Sequence, residues 1–147
     1  MPRKPKSADL KKLTGNAGHR KLPNEPKLPA GVPPMPPDLD GGERQAWTEL
    51  AGALTRLRVL TESDGAILEL AATELALYRH ASREVRERGP VLKASRTGSD
   101  YASAWLGVRG TCGKRLASLL STLGLSPTDR ARLVAIPDPD VGAFKGF

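Results

Sequence analysis

The chain has 147 residues, 39% of them hydrophobic and 4% aromatic, and carries a net charge of +7. That length suits one domain with a modest core, and a single cysteine, Cys112, excludes an internal disulfide framework and fits a reducing compartment. No apolar run approaches the roughly 18 residues of a membrane span, and the basic N-terminus is not followed by the apolar stretch of a secretion signal.

The charge is segregated. Residues 1–30 carry eight basic side chains against Asp9 and Glu25, a net +6, which leaves only +1 for residues 31–147. Such a leader has too few apolar residues to bury itself, so it reads as a disordered basic arm on a near-neutral body. Arg3, Lys4, Lys6, Lys11, Lys12, Arg20 and Lys21 are candidate phosphate contacts, with His19 among them. Gly15 and Gly18 permit sharp turns or close approach to a ligand, and Asn16 tolerates left-handed backbone. A purely solubilising tail is the competing reading of the same charge.

A proline-dense connector, Pro23 to Pro37, follows. It should be extended and semi-rigid, because proline lacks an N–H and disfavours helix at the residue before it. Residues 1–37 thus form a flexible leader, 38–133 a helical core and 134–147 a mobile tail exposing Phe144 and Phe147.

Asp38 or Asp40 can cap a first helix over about Gly41 to Arg58, in which Trp47, Leu50, Leu54 and Leu57 step by 3, 4 and 3 onto one face. Thr61-Glu62-Ser63-Asp64 has capping-box spacing and opens a long helix over 62–88 with the stripe Ile67, Ala71, Leu75, Tyr78 and Val85. The charged second half of that helix interleaves acids with arginines and reads as a solvated face. Gly89-Pro90 ends it, and residues 89–100 form a loop or short hairpin bearing Lys93 and Arg96. A third helix over about Tyr101 to Leu123 carries Trp105, Val108, Cys112, Leu116, Leu119 and Leu123 at spacings of 3, 4, 4, 3 and 4. Gly124 suits its C-terminal cap, and Ser126-Pro127-Thr128-Asp129 begins a short fourth helix ending near Leu133.

The expected fold is therefore all-α: a long antiparallel helical hairpin with a shorter helix before it and a short one after. Two long helices alone enclose little core, so part of their apolar surface is expected to meet another copy of the chain. Trp47, Leu75, Tyr78, Trp105, Val108, Cys112, Leu116 and Leu119 are the positions assigned to core and oligomerisation.

Catalytic chemistry is not indicated. No Cys or His cluster has metal-ligand spacing, and no paired carboxylates or Ser–His motif stands out. Gly107 to Arg115 superficially resembles a phosphate loop. It fails because Val108 stands where the first glycine is required and Arg115 where Ser or Thr is required, and because it lies within a helical stripe. A helix-turn-helix around Arg58 to Thr61 is disfavoured by an overlong second helix that begins with Glu62, Asp64 and Glu69.

The order of these features resembles one family. Leu10 to Pro29, LKKLTGNAGHRKLPNEPKLP, comes first, then Asp38-Leu39-Asp40 with Trp47, then Leu60-Thr61-Glu62-Ser63-Asp64, and finally Leu123 to Leu133, LGLSPTDRARL. From Pro5 to Leu133 the chain looks like the small subunit of phage DNA-packaging terminases, in the branch with a basic glycine-asparagine leader. The resemblance implies a non-enzymatic, ring-forming subunit without cofactor or metal. It would bind double-stranded phage DNA at the packaging start site, in the cytoplasm of the infected bacterial host. It would then deliver that DNA to the large terminase subunit, which carries the ATPase and nuclease. A basic-tailed helical nucleic-acid accessory protein with no packaging role is the alternative.

Overall fold

The computed structural model describes residues 30–130. The chain runs α1 (Gly41–Arg56), a single 3-10 turn (Glu62–Asp64), α2 (Gly65–Arg88), β1 (Val91–Lys93), β2 (Asp100–Ala102), α3 (Ala104–Thr122) and α4 (Pro127–Arg130). At 1.5 Å per residue the 24 residues of α2 span about 36 Å. α2 is the central element, with α1 and α3 both packed against it.

α1 begins where a complete capping box forms: Asp40 accepts from the Glu43 N–H at 2.8 Å, and the Glu43 carboxylate accepts from the Asp40 N–H at 3.0 Å. Thr61 and Asp64 make a similar contact at the start of the next element, where the Asp64 carboxylate accepts from both the N–H and the hydroxyl of Thr61. Aspartate therefore serves where glutamate or glutamine is usual.

α1 and α3 end in the same way. In each, the residue after the cap turns left-handed, its N–H donates to a carbonyl in the last turn, and the next N–H reaches one carbonyl deeper into the helix. The pairs are Arg58 to Thr55 with Val59 to Leu54, and Gly124 to Ser121 with Leu125 to Leu120. The left-handed residue is Gly124 at φ 74° in one case and Arg58 at φ 54° in the other. Arg58 is the one non-glycine residue with positive φ among the described residues. The arginine's left-handed turn is why α1 stops at Arg56, short of the expected Arg58.

The main core lies between α1, the first half of α2 and the end of α3. Leu39, Trp47, Leu54, Leu60, Leu68, Ala71, Ala72 and Leu123 are all buried there. Alanines at full burial on α2 allow the neighbouring helix to approach closely, and Leu54 and Leu68 are the largest fully buried side chains. Farther along the pair, Ala81 and Val85 of α2 and Cys112 and Leu116 of α3 are also buried.

The expected all-α class needs one correction. Residues 91–102 form an antiparallel ladder that pairs Val91 with Ala102, Leu92 with Tyr101 and Lys93 with Asp100. The ladder starts after Gly89 and Pro90 break α2, and it turns through Gly98. Three residues per strand are too few for period-two patterning to show in a sequence. The extended backbone at 100–102 also delays α3, which starts at Ala104 instead of Tyr101.

Candidate nucleic-acid interface

The sequence-predicted DNA contacts Arg3, Lys4, Lys6, Lys11, Lys12, Gly15, Asn16, Gly18, His19, Arg20 and Lys21 lie outside the described residues, as does the tail with Phe144 and Phe147. The described structure does fix where the leader joins the body. Ala30 bridges to Thr61, and the Gly31 N–H donates to the Leu60 carbonyl at 3.2 Å. The approach is tight: a Cβ on Gly31 would lie 2.7 Å from Glu62 Cγ. Pro33 and Leu39 are buried, and the Arg44 guanidinium donates to the carbonyls of Leu39 (2.7 Å) and Pro37 (2.9 Å). The last part of the proline connector is thus held against the corner where α2 begins.

Within the body, near-neutrality conceals a second segregation. Residues 38–78 hold eight acidic and three basic side chains, whereas residues 79–115 hold nine basic and three acidic. Five of those nine are occupied locally. Arg79 pairs with Glu49 at 2.6 Å, Arg88 with Glu84 at 2.8 Å, Lys93 with Asp100 at 3.2 Å and Arg115 with Glu74 at 3.3 Å. Arg86 donates to the Ser82 carbonyl. Arg83, Arg96, Arg109 and Lys114 make no ion pair among the described residues. The leader root therefore sits at the acidic start of α2, and these four basic residues lie along its far half, the hairpin and α3. Sequence reading found the leader's charge but missed this one, because only the antiparallel return of α3 lays Arg109 and Lys114 along α2, with Lys114 between Gly113, which meets Tyr78, and Arg115, which pairs with Glu74.

The residues assigned to core and oligomerisation divide by depth. Trp47, Cys112 and Leu116 are buried, and Leu75 and Leu119 pack partly buried against the core. Trp105 and Val108 are half-buried, and Trp105 stands edge-on to His80 with ring centroids 5.0 Å apart. Tyr78 is 37% exposed, and its ring lies over Gly113, where a Cβ would come 3.4 Å from it.

Among the described residues, the one thiol is held unreactive. Burial, with the Glu74 carboxylate beside it, pushes the Cys112 thiol above its ordinary range, so it stays protonated and inert at neutral pH. Among the described residues no three His, Cys, Asp or Glu side chains are placed to hold a metal. No described helix is long and apolar enough to cross a membrane.

A family model described as phage terminase, small subunit, matches residues 44–140, about two thirds of the chain. The chain belongs to this family. The match covers α2, α3 and all but the first three residues of α1, and it begins after the leader, so the small terminase subunit is recognised here by its helical body. No curated protein and no solved structure matches the chain. Membership carries a role in phage DNA packaging and places the chain in a family that is generally non-catalytic.

Proposed function

We propose that this small terminase subunit binds double-stranded phage DNA at the packaging start site and delivers it to the large terminase subunit. It does so as a non-catalytic ring in the cytoplasm of the infected host. The observation that carries the reading is the family match joined to a leader holding +6 of the chain's +7 charge. The leader acts as an arm on the phosphate backbone, where lysines and arginines add affinity and salt sensitivity without reading bases. Its root beside Thr61 sets the point from which the arm reaches DNA.

Deleting residues 1–22 tests this. Binding to a duplex carrying the packaging start site should weaken, and the slope of log affinity against log salt should flatten by about 0.9 for each phosphate the arm no longer neutralises. An unchanged slope would move the DNA contact from the leader to Arg83, Arg96, Arg109 and Lys114. Stimulation of the large subunit's ATPase by the full chain, measured with and without that duplex, tests the delivery step.

A further inference from the structure

α2 carries a second line of residues that the fold of the single chain leaves largely uncovered. Ala66, Leu70, Thr73 and Leu77 recur at spacings of 4, 3 and 4, the a/d spacing of a coiled-coil seam. Three of the four are apolar, and the threonine adds a methyl group between the two leucines. Leu70 is 58% exposed and Leu77 39%. At 100° per residue the line lies on the side of α2 turned away from Leu68, Ala72 and Leu75. Its flanks are mainly acidic, with Glu69 beside the leucines and Glu84 and Glu87 farther along; Arg88, on the same side, is paired with Glu84.

The outward side of α3 has the opposite character. Gly107, Gly110, Ala117 and Ser118 are exposed there around Lys114. A Cβ on Gly107 or Gly110 would meet nothing within 4 Å. No acidic residue occurs anywhere in Ala104–Thr122, and of its three basic residues only Arg115 is paired among the described residues.

We propose that the leucine line of α2 in one copy seats on the outward face of α3 in a second copy, with Lys114 facing Glu69. This rests on the assembly reading above and names the surfaces that make it. The occupant is a second copy because the two faces complement each other in shape and in charge. Leucines at a/d spacing need a surface with room between its side chains, and the glycine-lined face supplies it. Lys114, with no acidic partner among the described residues, stands in that face, and an exposed glutamate stands next to Leu70. Because the two faces differ, the contact is head-to-tail: every copy offers one of each, and the series closes as a ring when the rotation allows.

Light scattering after size exclusion on the full chain tests this. Wild type should run at several chain masses. Leu70→Glu with Leu77→Glu should run at one, with unchanged helicity by circular dichroism. Lys114→Glu should dissociate the particle in the same way, and adding Glu69→Lys should restore the wild-type mass, a rescue that a merely structural role would not give. If the double glutamate variant loses helicity, the charge-swap pair decides. A wild-type mass retained by the leucine variant, a swap that rescues nothing, or a wild-type chain that runs as a single copy would each overturn the interface. DNA binding at low salt, measured on the same samples, separates the two ideas. A retained mass with normal DNA binding overturns only this interface, whereas a wild-type particle that binds no DNA overturns the packaging reading. Loss of DNA binding on Lys114→Glu with the mass unchanged would reassign the α3 face to phosphate, and so also overturn the interface.

Discussion

The inner and outer sides of α2 both carry alanine and leucine at helical spacing, and they meet different fates. Inside, Leu68, Ala71, Ala72, Ala81 and Val85 are buried by α1 and α3. Outside, Ala66, Leu70, Thr73 and Leu77 form a second line whose leucines stay 58% and 39% exposed. As the central helix, α2 buries its inner stripe against both α1 and α3. Under the proposed contact, the second stripe is the one covered by another copy of the chain. The inner side accounts for why the chain folds, and the outer side is the surface that the proposed contact would use.

The two sides should respond differently to truncation. Leu54→Ala or Leu68→Ala, each removing a fully buried side chain, should cost about 2–5 kcal/mol in urea unfolding. Leu70→Ala, measured in the dissociated chain, should shift stability by no more than about 0.5 kcal/mol. Equal losses on the two sides would erase the distinction.

A smaller effect is expected where the inner packing is closed off by helix ends. Gly124→Ala places a side chain at φ 74° and should lower stability by about 1 kcal/mol. The same motif at the end of α1 already carries Arg58, so Arg58→Ala should leave the helix end intact by circular dichroism. Thiol chemistry offers a sharper contrast. Cys112, buried and held protonated beside Glu74, should resist a disulfide reagent at pH 8 until urea exposes it. The thiol introduced by Leu70→Cys should react quickly in the dissociated chain and slowly in the assembled one.

The smallest effect belongs to an exposed pair between α1 and α2. A hydrogen bond from Arg79 holds Glu49 below its usual value of 4.5. Because the folded value is the lower one, the contribution is present above the ordinary value and is lost as pH falls through the folded one. Glu49→Gln should therefore lower the melting temperature slightly at neutral pH, and the gap should close in acid and in high salt.

Helices were legible because their signals are local and redundant. Asp40, Thr61, Gly89, Gly124 and Ser126-Pro127 each mark a boundary by a mechanism confined to a few residues. The hairpin was half legible: Gly89-Pro90 announced the break and residues 89–100 a loop or short hairpin, but strands of three residues leave no period to read. A single stripe through Ile67, Ala71, Leu75, Tyr78 and Val85 mixes depths, since Ala71 and Val85 are buried while Tyr78 is 37% exposed. One stripe is enough to explain a helix, and so it hides a second one through Leu70 and Leu77. The charge of the body is hidden for a different reason. A sum near zero cannot show that acids predominate over residues 38–78 and bases over residues 79–115, a separation that gains its face only once α3 folds back. The leader's chemistry is plain in its composition, yet the family match rests on the helices that follow it.

Cross-linking would test most directly whether the two unlike faces meet. In a Cys112→Ala background, Leu70→Cys and Ser118→Cys would be combined and treated with a short bismaleimide linker, with each single cysteine as control. A head-to-tail contact predicts a ladder of covalent multimers extending beyond dimers in the combined variant and none in the controls. Dimers alone from the combined variant, or covalent dimers from either single cysteine, would contradict it.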